Sequence, residues 1–145
     1  MFKKLGVIIL SAIMFLTIIP TPIFAANVKD TSFSFNIQSN ANRYTRSRAK
    51  QNSSSTYVHV KQVPAVYIRT NVQGFRPTSG TGSNYWANET IGGQISLRKG
   101  QWLIKQLVYE NGGRSARLQF KKHSTNGTVS GVWSPDSVGS YPYAN

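Results

Sequence analysis

The 145-residue chain has no cysteine, four acidic residues and two histidines. Without cysteine there is no disulfide framework, no thiolate-bound zinc and no thiol nucleophile. Asp30, Glu89, Glu110 and Asp136 are all the carboxylates available for general acid and base work. Glu89 and Glu110 are a conceivable hydrolase pair, but neither lies in a recognisable motif, and acids in a basic chain more often pair with arginine. His59 and His123 have no companions at metal-ligand spacing and read as solvent-facing strand residues. Serines abound, yet there is no G-x-S-x-G elbow, and GTGS at 80–83 lacks the context of a phosphate loop or a dinucleotide fingerprint. The composition therefore points away from catalysis, with no catalytic residue, no metal and no cofactor expected.

What the chain does have begins at its N-terminus. Lys3 and Lys4 precede a mostly apolar stretch from Leu5 to Ile19, followed by Pro20, Pro22 and the small residues of IFAAN. A positive end, a short apolar middle and a small-residue exit form the secretory signal pattern, and the run is shorter than the roughly 20 residues of a stable span. We expect a cleaved signal helix over 1–25, cut after Ala25 or Ala26, with a retained anchor as the alternative. The remaining stretch, 26–145, is long enough for one domain with a modest core. Export without cysteine resembles a bacterial product of the Gram-positive kind more than an animal one.

Period-two alternation dominates the mature part. In TSFSFNI, Thr31 to Ile37, Phe33, Phe35 and Ile37 alternate with polar residues as in a half-buried strand. The stretch TYVHVKQVPAVYIRT at 56–70 is rich in β-formers and is split by Pro64, which cannot donate to a ladder. GFRPTSGTGS at 74–83 reads as a connecting loop. Strands are expected near 94–98 and 101–109, with a short helix over 102–110 as an alternative. In RSARLQFKKH, Ala116, Leu118 and Phe120 face one way and Arg117, Gln119 and Lys121 the other. Asn126-Gly127 is a favoured hairpin dipeptide, so 114–123 and 128–133 are expected to pair directly. The tail from Ser134 is expected to be extended. Several short strands with regular turn signals and no long helix predict an all-β fold, a small antiparallel sandwich or barrel.

The charge is one-sided. Without Lys3 and Lys4, fifteen basic residues face the four acids, a net charge of +11. They gather at Arg43, Arg46, Arg48 and Lys50, within an aperiodic polar stretch at 38–55 expected to be a mobile basic loop, and at Arg114, Arg117, Lys121 and Lys122. Tyr44 and Trp86 are the expected aromatic contacts. Basic residues interleaved with aromatics suit single-stranded nucleic acid, but an exported protein seldom meets it. Phospholipid head groups, teichoic acids and other anionic wall polymers are the nearer partners, and sugar rings could stack on exposed tyrosine or tryptophan. The bland alternative is that tyrosines fill the core and charge confers solubility.

The C-terminal stretch ENGGRSARLQFKKHSTNGTVSGVWSPDS, with Ser130, Gly131, Val132 and Trp133 before Asp136, resembles a group of small exported proteins of Gram-positive bacteria that includes lactococcin-like bacteriocins. That resemblance implies an exported cationic β-protein with an antimicrobial role and assigns no functional residue. The expectation is thus a secreted, non-enzymatic protein that binds an anionic bacterial envelope, as a bacteriocin or envelope-active toxin. An extracellular structural or inhibitory module with a protein partner is the competing class.

Overall fold

The computed structural model describes residues 26–77 and 83–145. The expected signal segment at 1–25 and residues 78–82 of the expected loop lie outside the described residues. The described chain is all-β, with strands β1 (Thr31–Ile37), β2 (Arg43–Tyr44), β3 (Arg48–Ala49), β4 (Thr56–Gln62), β5 (Ile68–Arg76), β6 (Tyr85–Asn88), β7 (Ile95–Leu97), β8 (Gly100–Ile104), β9 (Ser115–Lys121) and β10 (Gly127–Ser134). Pro64 separates β4 from β5 as its missing N–H requires. The loop expected from Gly74 starts later, because β5 continues to Arg76 and pairs there with Tyr85. The helical alternative over 102–110 is replaced by β8 and a single turn in which the Asn111 N–H donates to the Leu107 carbonyl.

The strands form two antiparallel sheets. One has the order β1-β10-β4-β8; the other is β2-β9-β5-β6, with β3 also on β9 and β7 also on β5. The apolar faces of the longer strands turn inward. Phe33, Ile37, Val58, Val60, Val129 and Trp133 from the first sheet join Ile68, Val72, Leu97, Leu118 and Phe120 from the second in one buried cluster. The rings of Phe33 and Phe120 stack across the interface with centroids 4.8 Å apart. Removing each such side chain from water contributes about 1.5–3 kcal/mol, which makes this layer the principal source of stability. The extended tail closes the outer side of β8: the Leu103 N–H donates to the Pro142 carbonyl and the Ala144 N–H to the Leu103 carbonyl.

Two expectations are corrected. The strands β9 and β10 do not form a hairpin; β9 pairs with β2, β3 and β5, whereas β10 pairs with β1 and β4. Each carries an apolar face, and the connection through Asn126-Gly127 lets those faces meet across the core instead of lying side by side in one sheet. The basic stretch at 38–55 is not a loose loop either. Its two short strands pair with β9, the Thr45 N–H donates to the Leu118 carbonyl, and the Leu118 N–H donates to Thr45 Oγ1. The outer edge of β9 needs backbone partners, and this segment supplies them in short pieces.

Candidate functional site

The outward side chains of the second sheet converge on Arg117. Residue alternation sends Leu118 into the core and Arg117 outward, and the antiparallel register sets Gln73 of β5 directly opposite it. The Arg117 guanidinium carbon lies 4.0 Å from the ring centroid of Tyr44 on one neighbouring strand and 4.1 Å from that of Trp86 on β6. Arg117 Nε donates to Gln73 Oε1 at 2.8 Å, and Gln73 Nε2 donates to Gln119 Oε1 at 3.1 Å. Gln119 Nε2 reaches the Tyr44 hydroxyl at 3.5 Å, closing a ring of contacts on one face of the sheet. Phe75 packs on Trp86 with centroids 5.1 Å apart. Partial burial lowers the Arg117 pKa from its ordinary value, with Tyr44 acting in the opposite sense, but an arginine stays charged throughout.

Beyond this cluster, along the same strands, Arg69 and Lys121 stand opposite one another. Arg69 Nε donates to His123 Nδ1 at 3.3 Å, and His123 lies against the Tyr67 ring. A separate groove of about 260 Å³ lies between β1 and the 44–46 segment, with Phe33, Phe35, Trp133, Tyr44 and Arg46 among its lining residues. Tyr44 therefore borders both the groove and the arginine cluster.

The eight basic residues expected to bind an anionic surface thus have different situations. Arg117 joins Tyr44 and Trp86; Lys121 and Lys122 continue from it at the end of β9; Arg43 and Arg46 are exposed beside β9's outer edge. Arg114 is exposed but lies across the Tyr109 ring at 3.9 Å, with Nη1 donating to the Tyr109 carbonyl. Arg48 is structural: it donates to the Lys29 and Trp133 carbonyls and to Asn27 Oδ1, tying the start of the described chain to β10. Lys50 must be withdrawn as a surface ligand. It is 1 % exposed, and its ammonium is 2.6 Å from Asp136 Oδ1. Burial lowers the Lys50 pKa while the hydrogen bond and charge of Asp136 oppose that shift.

The sequence reading missed Gln73 and Gln119, which hold the arginine in place. Their only local sign was the placing of polar residues on the outward face, shared by many strands. Among the acids, Glu89 is 3 % exposed and engaged by Arg76 Nε and Nη2 and by Asn111 Nδ2. The same carboxylate raises the Arg76 pKa. Glu110 is exposed on the turn after β8. Glu89→Gln turns one acceptor oxygen into a donor facing donors, so thermal unfolding is expected at least about 4 °C lower. An unchanged melting curve would show that the carboxylate is not needed for the fold.

The chain belongs to the family described as "Protein of unknown function (DUF2712)", which it matches over residues 21–137. Comparison with curated proteins and with solved structures gave no match.

Proposed function

We propose that this member of the family is an exported, cationic, non-enzymatic β-sandwich that binds the anionic surface of a bacterial envelope and acts there as an antimicrobial protein. The observation that carries the reading is the uneven use of charge. The two ion pairs among the described residues, Lys50–Asp136 and Arg76–Glu89, occupy half of the acids and only two cations. From Ala26 onward that leaves thirteen basic residues against Asp30 and Glu110. An excess of one sign on so small a body concentrates it on surfaces of opposite charge, in a way that salt weakens.

The test is co-sedimentation of the purified protein with cell-wall fragments and with anionic vesicles over a salt series, alongside growth assays on indicator strains. Retention is expected to fall steeply between about 0.1 M and about 1 M salt, as the screening length shrinks from about 10 Å to about 3 Å. Binding indifferent to salt would count against the electrostatic reading. Indicator cells that grow unharmed would remove the antimicrobial role while leaving the binding intact.

A further inference from the structure

We infer that the outer face of the second sheet recognises the phosphodiester groups of a polyol-phosphate polymer, with Arg117 as the anion-binding residue. This rests on the envelope-binding reading and specifies the ligand for it.

The first support is the way Arg117 is held. A solvated arginine needs no clamp, yet this guanidinium lies between two aromatic rings and is held at Nε by Gln73. Its Nε is thereby used, and among the described residues neither Nη atom has a hydrogen-bond partner. A planar fork with fixed orientation and unused terminal donors matches two oxygens of one phosphate, and the ordering that binding requires is already met by the fold.

The second support lies along the strand. Arg69 and Lys121 are directly opposite on this face, and like charges so placed repel. Arg69 donates to His123, and among the described residues it forms no ion pair with a carboxylate. Lys121 lies four positions from Arg117 on the same strand, roughly 13 Å away at strand rise. Two separated places for negative charge suit a chain of repeated phosphates better than one small anion. Between them Gln119 stands opposite Asn71, and level with Arg117 are Gln73 and, opposite it, Asn88, so amides occupy this face where hydroxyls of a polyol would lie.

The aromatic rings argue against nucleic acid. Single-stranded nucleic-acid binders offer open ring faces to bases. Here Tyr44 carries Arg117, and Trp86 has contacts with both Arg117 and Phe75.

The experiment measures affinities of the purified protein at one ionic strength for poly(glycerol phosphate), for oligothymidylate and for phosphatidylglycerol–phosphatidylcholine vesicles. Arg117→Lys keeps net charge but loses the fork, and is expected to weaken polymer binding about tenfold. Lys99→Gln, at an exposed site on the β7–β8 turn, removes a whole charge and is expected to weaken it by less than about threefold. Tyr44→Leu, at an exposed ring, leaves every charge in place, and is expected to weaken binding severalfold by freeing the guanidinium. It also keeps the question answerable should Arg117→Lys not fold. Polymer affinity in Arg117→Lys and Tyr44→Leu equal to that of the parent would overturn the inference while the envelope reading stands. Tighter parental binding of oligothymidylate or vesicles than of the polymer would overturn it too. A parent protein that binds none of the three defeats both readings.

Discussion

Lys50→Met is expected to destabilise the domain by about 3–5 kcal/mol, because it leaves the carboxylate of Asp136 buried without its cation. Both side chains of this pair are fully buried, and Lys50 Nζ also donates to the Ser54 carbonyl. The other carboxylate oxygen of Asp136 accepts the backbone N–H groups of Asn27 and Gln51 at 2.8 and 3.0 Å. One acid therefore gathers three segments: the start of the described chain, the stretch after β3 and the end of β10. A loss of that size is a large part of the roughly 5–15 kcal/mol that holds an ordinary domain together. Urea unfolding checks it, with Arg46→Ser, at an exposed site two residues beyond Tyr44, as the neighbouring control expected to stay within about 0.5 kcal/mol. A midpoint for Lys50→Met matching that of the control would refute the structural role. The double variant Lys50→Met with Asp136→Leu should recover only part of the loss, since the backbone N–H groups of Asn27 and Gln51 would still lack their acceptor, whereas the Ser54 carbonyl keeps Gln106 Nε2.

Gly131→Ala is expected to be at least as damaging, at about 3 kcal/mol or more, or to prevent soluble expression. A Cβ at this position would lie 2.1 Å from the carbonyl oxygen of His59 and 3.0 Å from Cζ of Phe33. The first neighbour is backbone of β4 and cannot swing aside, and the second belongs to the aromatic layer between the sheets. The pairing of β10 with β4 shifts register between Ser130 and Gly131, so the close approach sits at an irregularity of the central ladder. Glycine inside a strand marks such an approach. Ser130→Ala, one residue away, is expected to cost little. Circular dichroism on the two variants separates them, and a Gly131→Ala protein with a parental melting curve would show that the strands can move apart without loss.

These variants also divide what could be read along the chain from what could not. The alternation in TSFSFNI and in SARLQF identified β1 and β9 and the residues that enter the core, Phe33, Ile37, Leu118 and Phe120, because a strand's two faces repeat every second residue. Pro64 marked a strand boundary for an equally local reason. The pairing of β9 was not legible, since Asn126-Gly127 suits a hairpin locally and only the burial of two apolar faces against each other overrules it. Lys50 looked like the three other basic residues of its stretch; its partner stands 86 positions away and has no local signature.

The candidate site follows the same division. Tyr44, Trp86 and Arg117 could each be named from residue type, but their stacking depends on β2 and β6 flanking the β9–β5 pair, an order unrelated to sequence order. By itself the sequence determined strand content, inward faces and the sign of the charge, all properties of neighbouring residues. Which strands are partners, which cation is buried and which is clamped between rings were decided in three dimensions, where backbone pairing and desolvation act between residues far apart in the chain.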